Sequence, residues 1–212
     1  MSGTDDLITR LADQAGAEPR RSAASFRRLF LSSVLLSLAV ALALSVTGLG
    51  ALRAPLPHLV EFGPFQFKMA GAALLAGAAF FLARRAAIPG SARASWLLIL
   101  PGIAPFLLDA ILDPWGPPAA AGGSDEVNCA LAIALAALPA LWLILRALKN
   151  AAPTRPGWTG ALAGLLAGAL GAAGHSLACY NDGGVMVTLF YGAALIFMTG
   201  LGALIGRKTL RW

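Results

Sequence analysis

Long apolar runs are the feature that most constrains the fold of this 212-residue chain. An α-helix needs about 20 predominantly apolar residues to cross a bilayer, because each residue advances the helix by about 1.5 Å. Windows of about this length occur at Leu29–Leu49, Phe65–Ala83, Ser95–Leu112, Cys129–Leu148, Trp158–Cys179 and Val185–Ile205. These runs predict an all-α polytopic membrane protein with six transmembrane helices.

The composition agrees with this class. Hydrophobic residues make up 58% of the chain and charged residues only 12%, and the mean hydropathy is +0.75. A soluble domain carries about twice that share of charged residues. The formal net charge of +6 would suit either nucleic acid or anionic lipid. Since the basic residues flank the apolar runs, we expect contact with the lipid bilayer and no direct binding of nucleic acid.

The basic residues also predict an orientation. Fourteen of the sixteen lysines and arginines fall on the side that holds the N-terminus, and the other side carries only Arg53 and Lys68. By the positive-inside rule both termini are then cytoplasmic, which requires an even number of spans. We therefore expect a cytoplasmic segment over residues 1–28, a transmembrane domain over 29–206 and a cytoplasmic tail over 207–212.

The N-terminal segment reads as a short amphipathic helix. Thr4 is a candidate N-cap, and Gly16 and Pro19 predict the end of the helix. Such a helix is marginal alone, and its face lacks the aromatic and basic residues of a membrane-lying helix, which favours docking on a protein partner. A leader without a function is the alternative. The candidate contact residues are Asp5, Asp6, Leu7, Ile8 and Leu11.

A stripe of small residues marks the fifth window. At 100° per residue, one face within roughly 80° holds Gly164, Gly168, Gly171, His175 and Cys179. Small residues at four-residue spacing let helix backbones approach closely in a bilayer, so the stripe predicts that Cys179 faces protein and not lipid. The alternative is that glycine and alanine are simply frequent in membrane helices.

The two cysteines of the chain are predicted to meet. Cys129 opens the fourth window and Cys179 closes the fifth, and two runs of roughly 20 residues return the chain to the same height at the outer surface. Neighbouring small-residue faces would permit the short Cα separation of a disulfide. Three interpretations stay open: a permanent disulfide, two inert buried cysteines, or a pair that responds to oxidation or to a soft metal ion.

Other ionisable residues lie at a similar depth. His175 is one turn from Cys179 and could add a third ligand for a metal held by Cys129 and Cys179. Lys68 and Asp109 are predicted near the same outer end, where they either contribute to a functional cluster or extend to the interface.

Motifs for catalysis are absent from the sequence. It contains no CxxC, no HExxH, no glycine-rich phosphate loop and no paired carboxylates within a span. We therefore expect a protein that is not an enzyme and that needs no cofactor.

Several stretches together resemble one family, the NrsF-type anti-sigma factors. They are the leader TDDLITRLA, the run NCALAIALAALPALWLILRALKNAAP with GALAGLLAGALGA, the segment HSLACYND, and the ending YGAALIFMTGLGALIGRKTLRW. The resemblance covers nearly the whole chain and is strongest from Cys129 onward.

The resemblance implies a six-span protein of the bacterial inner membrane that holds an extracytoplasmic-function sigma factor inactive. Its cytoplasmic N-terminal segment would bind the sigma factor, and Cys129 and Cys179 would take part in sensing periplasmic stress. We add His175 and Asp182, which lie beside the second cysteine, to the candidate sensor residues.

Two other functional classes are alternatives. A membrane thiol-disulfide oxidoreductase would pass electrons from the cysteines to a quinone, but it usually needs a second cysteine pair. A small transporter would need broken helices in corresponding halves and more charges along a pathway.

Overall fold

The computed structural model describes residues 2–49, 63–88, 95–112, 114, 126–151, 153–179 and 183–210. Every regular element in these ranges is a helix, which confirms the predicted all-α class. The elements are α1 (Ser2–Leu49), α2 (Gly63–Ala86), a 3-10 turn (Trp96–Ile99), α3 (Leu100–Leu112), α4 (Glu126–Lys149), α5 (Pro156–Ser176) and α6 (Gly184–Thr209).

Six apolar helices are present in this part of the chain, as the sequence predicts, and five are long and apolar enough to cross a membrane. The long apolar segments are Phe26–Leu44 within α1, Gly63–Ala86, Cys129–Lys149, Pro156–Ser176 and Gly184–Thr209. The sixth, Trp96–Leu112, is shorter. The protein is therefore a polytopic membrane protein.

The shorter helix owes its form to its prolines. Four residues of 3-10 turn precede the 13 residues of α3, so together they extend over roughly 28 Å, close to the thickness of a bilayer core. Pro105 lies inside α3 and lacks the N–H that would bond to the carbonyl one turn earlier. Ser95 caps the 3-10 turn by accepting a hydrogen bond from the Leu97 N–H at 3.2 Å.

The first helix differs from its prediction. It begins at Ser2 and continues to Leu49, so Thr4 is not its cap, and Gly16 and Pro19 do not end it. Glycine and proline cost a helix about 1 and 3 kcal/mol each, but the alanines and arginines around them are good helix formers. The first membrane span also anchors the C-terminal part of α1. The leader and the first span are thus one continuous helix, and the predicted boundary at residue 28 lies within it.

Two clusters of buried apolar side chains hold the bundle together. One joins α1, α2, α4, α5 and α6 through residues such as Phe30, Leu82, Ile144, Leu166 and Met198. The other joins α2, α3, α4, α5 and α6 toward the end of the bundle that holds the cysteines, through residues such as Ala72, Phe106, Ile133, Ala169 and Tyr191. The helix α5 belongs to both clusters, and most of its residues are buried.

Backbone contacts at glycine explain the central place of α5. A Cβ atom on Gly160 would overlap the Gly202 carbonyl oxygen of α6, and a Cβ atom on Gly164 would overlap the Met198 carbonyl oxygen. The predicted close helix packing at the glycine stripe is confirmed. The stripe contacts more than one helix, however, because a Cβ atom on Gly171 would lie 2.8 Å from the Ile133 carbonyl oxygen of α4.

Candidate functional site

The two cysteines meet at one end of the bundle. The Sγ atoms of Cys129 and Cys179 lie 3.4 Å apart, and both side chains are buried. A disulfide bond would hold them at about 2.05 Å, so they are two thiols in contact. The predictions that the cysteines meet and that Cys179 faces protein are both confirmed.

Local structure after α5 places the second thiol. The helix ends at Ser176, so the predicted continuation of the helix to Cys179 is wrong. The chain instead makes a turn in which the N–H groups of Ala178 and Cys179 donate to the His175 carbonyl oxygen at 3.0 and 2.9 Å. This turn keeps Cys179 close to His175 although the regular helix has ended.

His175 completes a cluster of three ligand atoms. One ligand atom each from Cys129, His175 and Cys179 lies within 4.8 Å of the others, and all three residues are buried. Among the residues that the structure describes, the Nε2 atom of His175 has no hydrogen-bond partner. We call these three residues the thiol–imidazole cluster.

The sequence did not predict two neighbours of the cluster, Tyr191 and Ser176. The Tyr191 ring of α6 lies 6.1 Å from the His175 ring, measured between centroids. The Tyr191 hydroxyl lies 3.4 Å from the Ser176 hydroxyl, which donates to the Ala172 carbonyl oxygen at 2.8 Å. The only signal for Tyr191 was that it is one of two tyrosines in a chain rich in alanine and leucine.

Lys68 and Asp109 are buried, at 0% and 1% relative exposure. The alternative that they extend to the interface is therefore wrong. The Asp109 backbone lies against α6, because a Cβ atom on Gly184 would overlap the Asp109 carbonyl oxygen. Both residues belong to the polar interior at the cysteine end of the bundle.

The acidity of one thiol follows from this environment. Cys179 lies three residues beyond the spanning helix Pro156–Ser176. The pKa of the Cys179 thiol is lowered to about 4, chiefly by the hydrogen bond with Cys129 and against the effect of burial. The hydrogen bond with His175 and the positive charge of Lys68 contribute to this lowering. A thiolate is the reactive form toward both oxidants and metal ions.

The geometry of the cluster suits a soft metal ion. Two thiolates at about 2.3 Å from a tetrahedral ion lie about 3.8 Å apart, a few tenths of an ångström more than the observed sulfur separation. The imidazole offers a third ligand within reach. The same two sulfurs can form a disulfide if an oxidant accepts two electrons and two protons are released.

The remaining candidate residues are distributed differently. Asp182 lies outside the described residues, and so does the side chain of Leu11. The Asp6 carboxylate pairs with the Arg10 guanidinium at 3.1 Å on the surface of α1. Leu7 and Ile8 are exposed, at 56% and 58%. The structure thus leaves two large apolar side chains uncovered on the leader helix.

The fold and the site define a polytopic membrane protein that carries a buried thiol–imidazole cluster at one end and an amphipathic leader on its first helix. The family described as "Negative regulator of sigma F", NrsF, matches residues 11–212. The "Probable anti-sigma-F factor NrsF" of Azospira oryzae is 32% identical over 221 residues, 99% of each chain. The "Anti-sigma-F factor NrsF" of Caulobacter vibrioides is 33% identical with the same coverage.

This chain belongs to the NrsF family of negative regulators of sigma F. The predicted resemblance is confirmed, and so is the prediction that the chain is not an enzyme, because the family is regulatory. The oxidoreductase and transporter alternatives are set aside on the same ground. No solved structure is a significant match for the chain.

Proposed function

We propose that this protein is an anti-sigma factor of the bacterial inner membrane, with both termini in the cytoplasm. Its N-terminal segment sequesters an extracytoplasmic-function sigma factor, and thiol oxidation or a heavy metal at Cys129 and Cys179 releases it. The observation that carries the proposal is the thiol–imidazole cluster, in which three ligand atoms lie within 4.8 Å of one another in the interior of the bundle. Polar groups of this kind within a membrane domain are costly and typical of functional sites.

The leader supports the binding half of the proposal. Leu7 and Ile8 are consecutive residues of the leader, and both side chains are exposed. Burying each such side chain in a groove contributes about 1.5–3 kcal/mol before the cost of association. Asp5 and Asp6 flank this face and suit a basic partner surface. An amphipathic helix in an apolar groove is a recurrent mode of recognition.

Direct contact between the helices supports the signalling half. A Cβ atom on Gly174, next to His175, would lie 3.0 Å from the Ala41 carbonyl oxygen of α1. The Ser37 hydroxyl of α1 approaches the Ala140 carbonyl oxygen of α4 at 3.5 Å. Both helices that carry the cluster thus touch the helix that carries the leader.

A change at the cluster can therefore reach the leader through packed helices. Closing the sulfurs to a disulfide, or opening them around a metal ion, alters the spacing of α4 and α5 where α1 rests on them. Interfaces of this kind switch between discrete arrangements, because close-packed helices deform little. A coupling of about 1–3 kcal/mol changes an affinity by about 5- to 150-fold, which suffices for release.

Co-purification tests the binding half. The full-length protein carries Leu7→Ala with Ile8→Ala, and an extracytoplasmic-function sigma factor from the same organism is co-expressed. We expect the double variant to insert in the membrane and lose the sigma factor, since its contact face is gone. The matched control is Thr9→Ala, because Thr9 lies on the opposite side of the helix and its exposed hydroxyl only bonds the Asp5 carbonyl oxygen. Equal capture of sigma factor by both variants would exclude this face.

A further inference from the structure

A cleft separates α1 from α4 at the end of the bundle opposite the cysteines. It has a volume of about 440 Å³ and opens to the surface. Arg146, Lys149 and Asn150 line its outer part, and Leu29, Leu36 and Leu143 line its walls. One end of the cleft is thus basic and polar, and the rest is apolar.

The register of the two helices sets the depth of these groups. Ser37 of α1 lies beside Ala140 of α4, so the helices run in opposite directions from that point. Leu36 and Leu143 then lie on the membrane side of the cleft, and Arg146 and Lys149 lie nearer the end of the bundle. Apolar groups deep in the bilayer and cations at its surface are the arrangement that an anionic phospholipid requires.

The two cations are available to an anion. Both are exposed in the last turn of α4. Among the residues that the structure describes, neither forms an ion pair with a carboxylate. The Arg146 guanidinium stacks over the Trp142 ring at 4.3 Å, which fixes its plane and leaves its edge for hydrogen bonds to phosphate oxygens. Trp142 is itself exposed, as is typical of tryptophan at a membrane interface.

Small side chains keep the cleft open. Ser32, Ser33 and Ala147 line its floor. The two serine hydroxyls donate to the carbonyl oxygens of Leu29 and Phe30 at 3.0 and 2.8 Å, so they fold back on α1 and leave room between the helices. A larger residue at position 32 would occupy this space.

We propose that this cleft binds one anionic phospholipid. Its phosphodiester group would lie between Arg146 and Lys149, and its acyl chains would run along Leu36 and Leu143. Basic pockets between transmembrane helices are a recurrent site for such headgroups. The lipid would sit between the helix that carries the leader and the helix that carries Cys129.

Lipid retention measured by native mass spectrometry tests this site. The full-length protein is purified in detergent with equal amounts of phosphatidylglycerol and phosphatidylcholine. We expect bound phosphatidylglycerol to exceed phosphatidylcholine in the wild type. Arg146→Gln with Lys149→Gln should lower that preference by about tenfold or more, since each interfacial cation contributes to anionic-lipid affinity.

A matched control removes two arginines elsewhere. Arg84 and Arg85 are exposed in the last turn of α2, and Arg85 stacks over the Phe81 ring at 4.6 Å, as Arg146 does over Trp142. Arg84→Gln with Arg85→Gln should keep the lipid preference. An equal loss in both double variants would overturn the proposal, because it would indicate attraction to the overall charge.

A second variant tests the cleft with its charges intact. Ser32→Phe should fill the space in the cleft and lower phosphatidylglycerol retention. This variant tests the site on its own if Arg146→Gln with Lys149→Gln does not fold. Retention unchanged by Ser32→Phe would contradict binding inside the cleft. Displacement of the lipid by millimolar inorganic phosphate would also contradict it, because a simple anion site would then explain the charge dependence.

Discussion

The Sγ atom of Cys129 lies 3.4 Å from the Sγ atom of Cys179, although 50 residues separate them in the chain. The contact depends on the close packing of α4 and α5 deeper in the bundle, where Gly171 lies against Ile133 and Ala137. A side chain at Gly171 would separate the helices and the sulfurs with them. The thiol pair is therefore a direct product of the small-residue faces of these two helices.

The two thiols should form an intramolecular disulfide, because their sulfur atoms already lie 3.4 Å apart. A mild oxidant applied to the membrane-embedded protein should remove both thiols from the alkylatable pool, with the loss of two protons and two electrons. The measurement is the mass after alkylation without reductant. The chain has only two cysteines, so Cys129→Ser should leave one alkylatable thiol and no bridge within the chain. Two alkylatable thiols after oxidation of the wild type would contradict the contact.

His175 should act as the third ligand of a soft metal ion. His175→Ala should weaken Cd²⁺ binding by at least about tenfold, since the loss of groups that support a metal site typically costs 10- to 100-fold. The measurement is the thiolate-to-metal charge-transfer absorption during titration of the purified protein. His58→Ala is the control, because His58 is the other histidine of the chain. Equal Cd²⁺ affinity in the two variants would remove His175 from the site.

The glycine contacts between α5 and α6 leave no room for a side chain, so a larger residue there should lower the stability of the protein. Gly164→Ala places a methyl group against the Met198 backbone and should cost about 1–3 kcal/mol through overpacking. Gly200→Ala is the matched control, since nothing lies within 4 Å of a Cβ atom there. Both changes add the same methyl group inside a helix, so their difference isolates the contact. The apparent Tm of the purified protein should fall for Gly164→Ala alone, and equal values would contradict the packing.

The orientation of the bundle has its own test. Reporter fusions after Arg85, Lys149 and Trp212 should report the cytoplasm, and fusions near Gly122 should report the periplasm, because fourteen of sixteen basic residues fall on one side. The fusion after Trp212 is the most decisive of these fusions, because it reports the side on which the C-terminus lies. A periplasmic C-terminus would reverse the side on which the cysteines and the leader are proposed to lie.

The sequence predicted the parts of the site that follow from helix geometry. Equal helix lengths return Cys179 to the height of Cys129, whereas the turn after Ser176 keeps it close to His175. The glycine stripe predicted close packing, but its division between α6 and α4 depends on tertiary packing, and so does the contact of Gly174 with α1. Tyr191 was missed because no periodic pattern marks a single aromatic residue.

The predicted end of the first helix failed for a physical reason. Gly16 and Pro19 lower helix propensity locally, but a strong first span and good helix formers on both sides extend α1 through them. The sequence did not decide whether Lys68 and Asp109 are buried or exposed, because hydropathy alone does not reveal the polar neighbours that a folded bundle supplies. Their burial places them in the interior with the cluster.

The central claim is that the state of the two thiols controls the release of the sigma factor. The most direct measurement is sigma-dependent transcription in cells that carry Cys129→Ser or Cys179→Ser, before and after exposure to a thiol oxidant or a thiophilic metal. We predict that each variant keeps repression in unstressed cells and loses the response, since a single thiol can neither form the bridge nor complete the metal site. An unchanged response in both single variants would contradict the account.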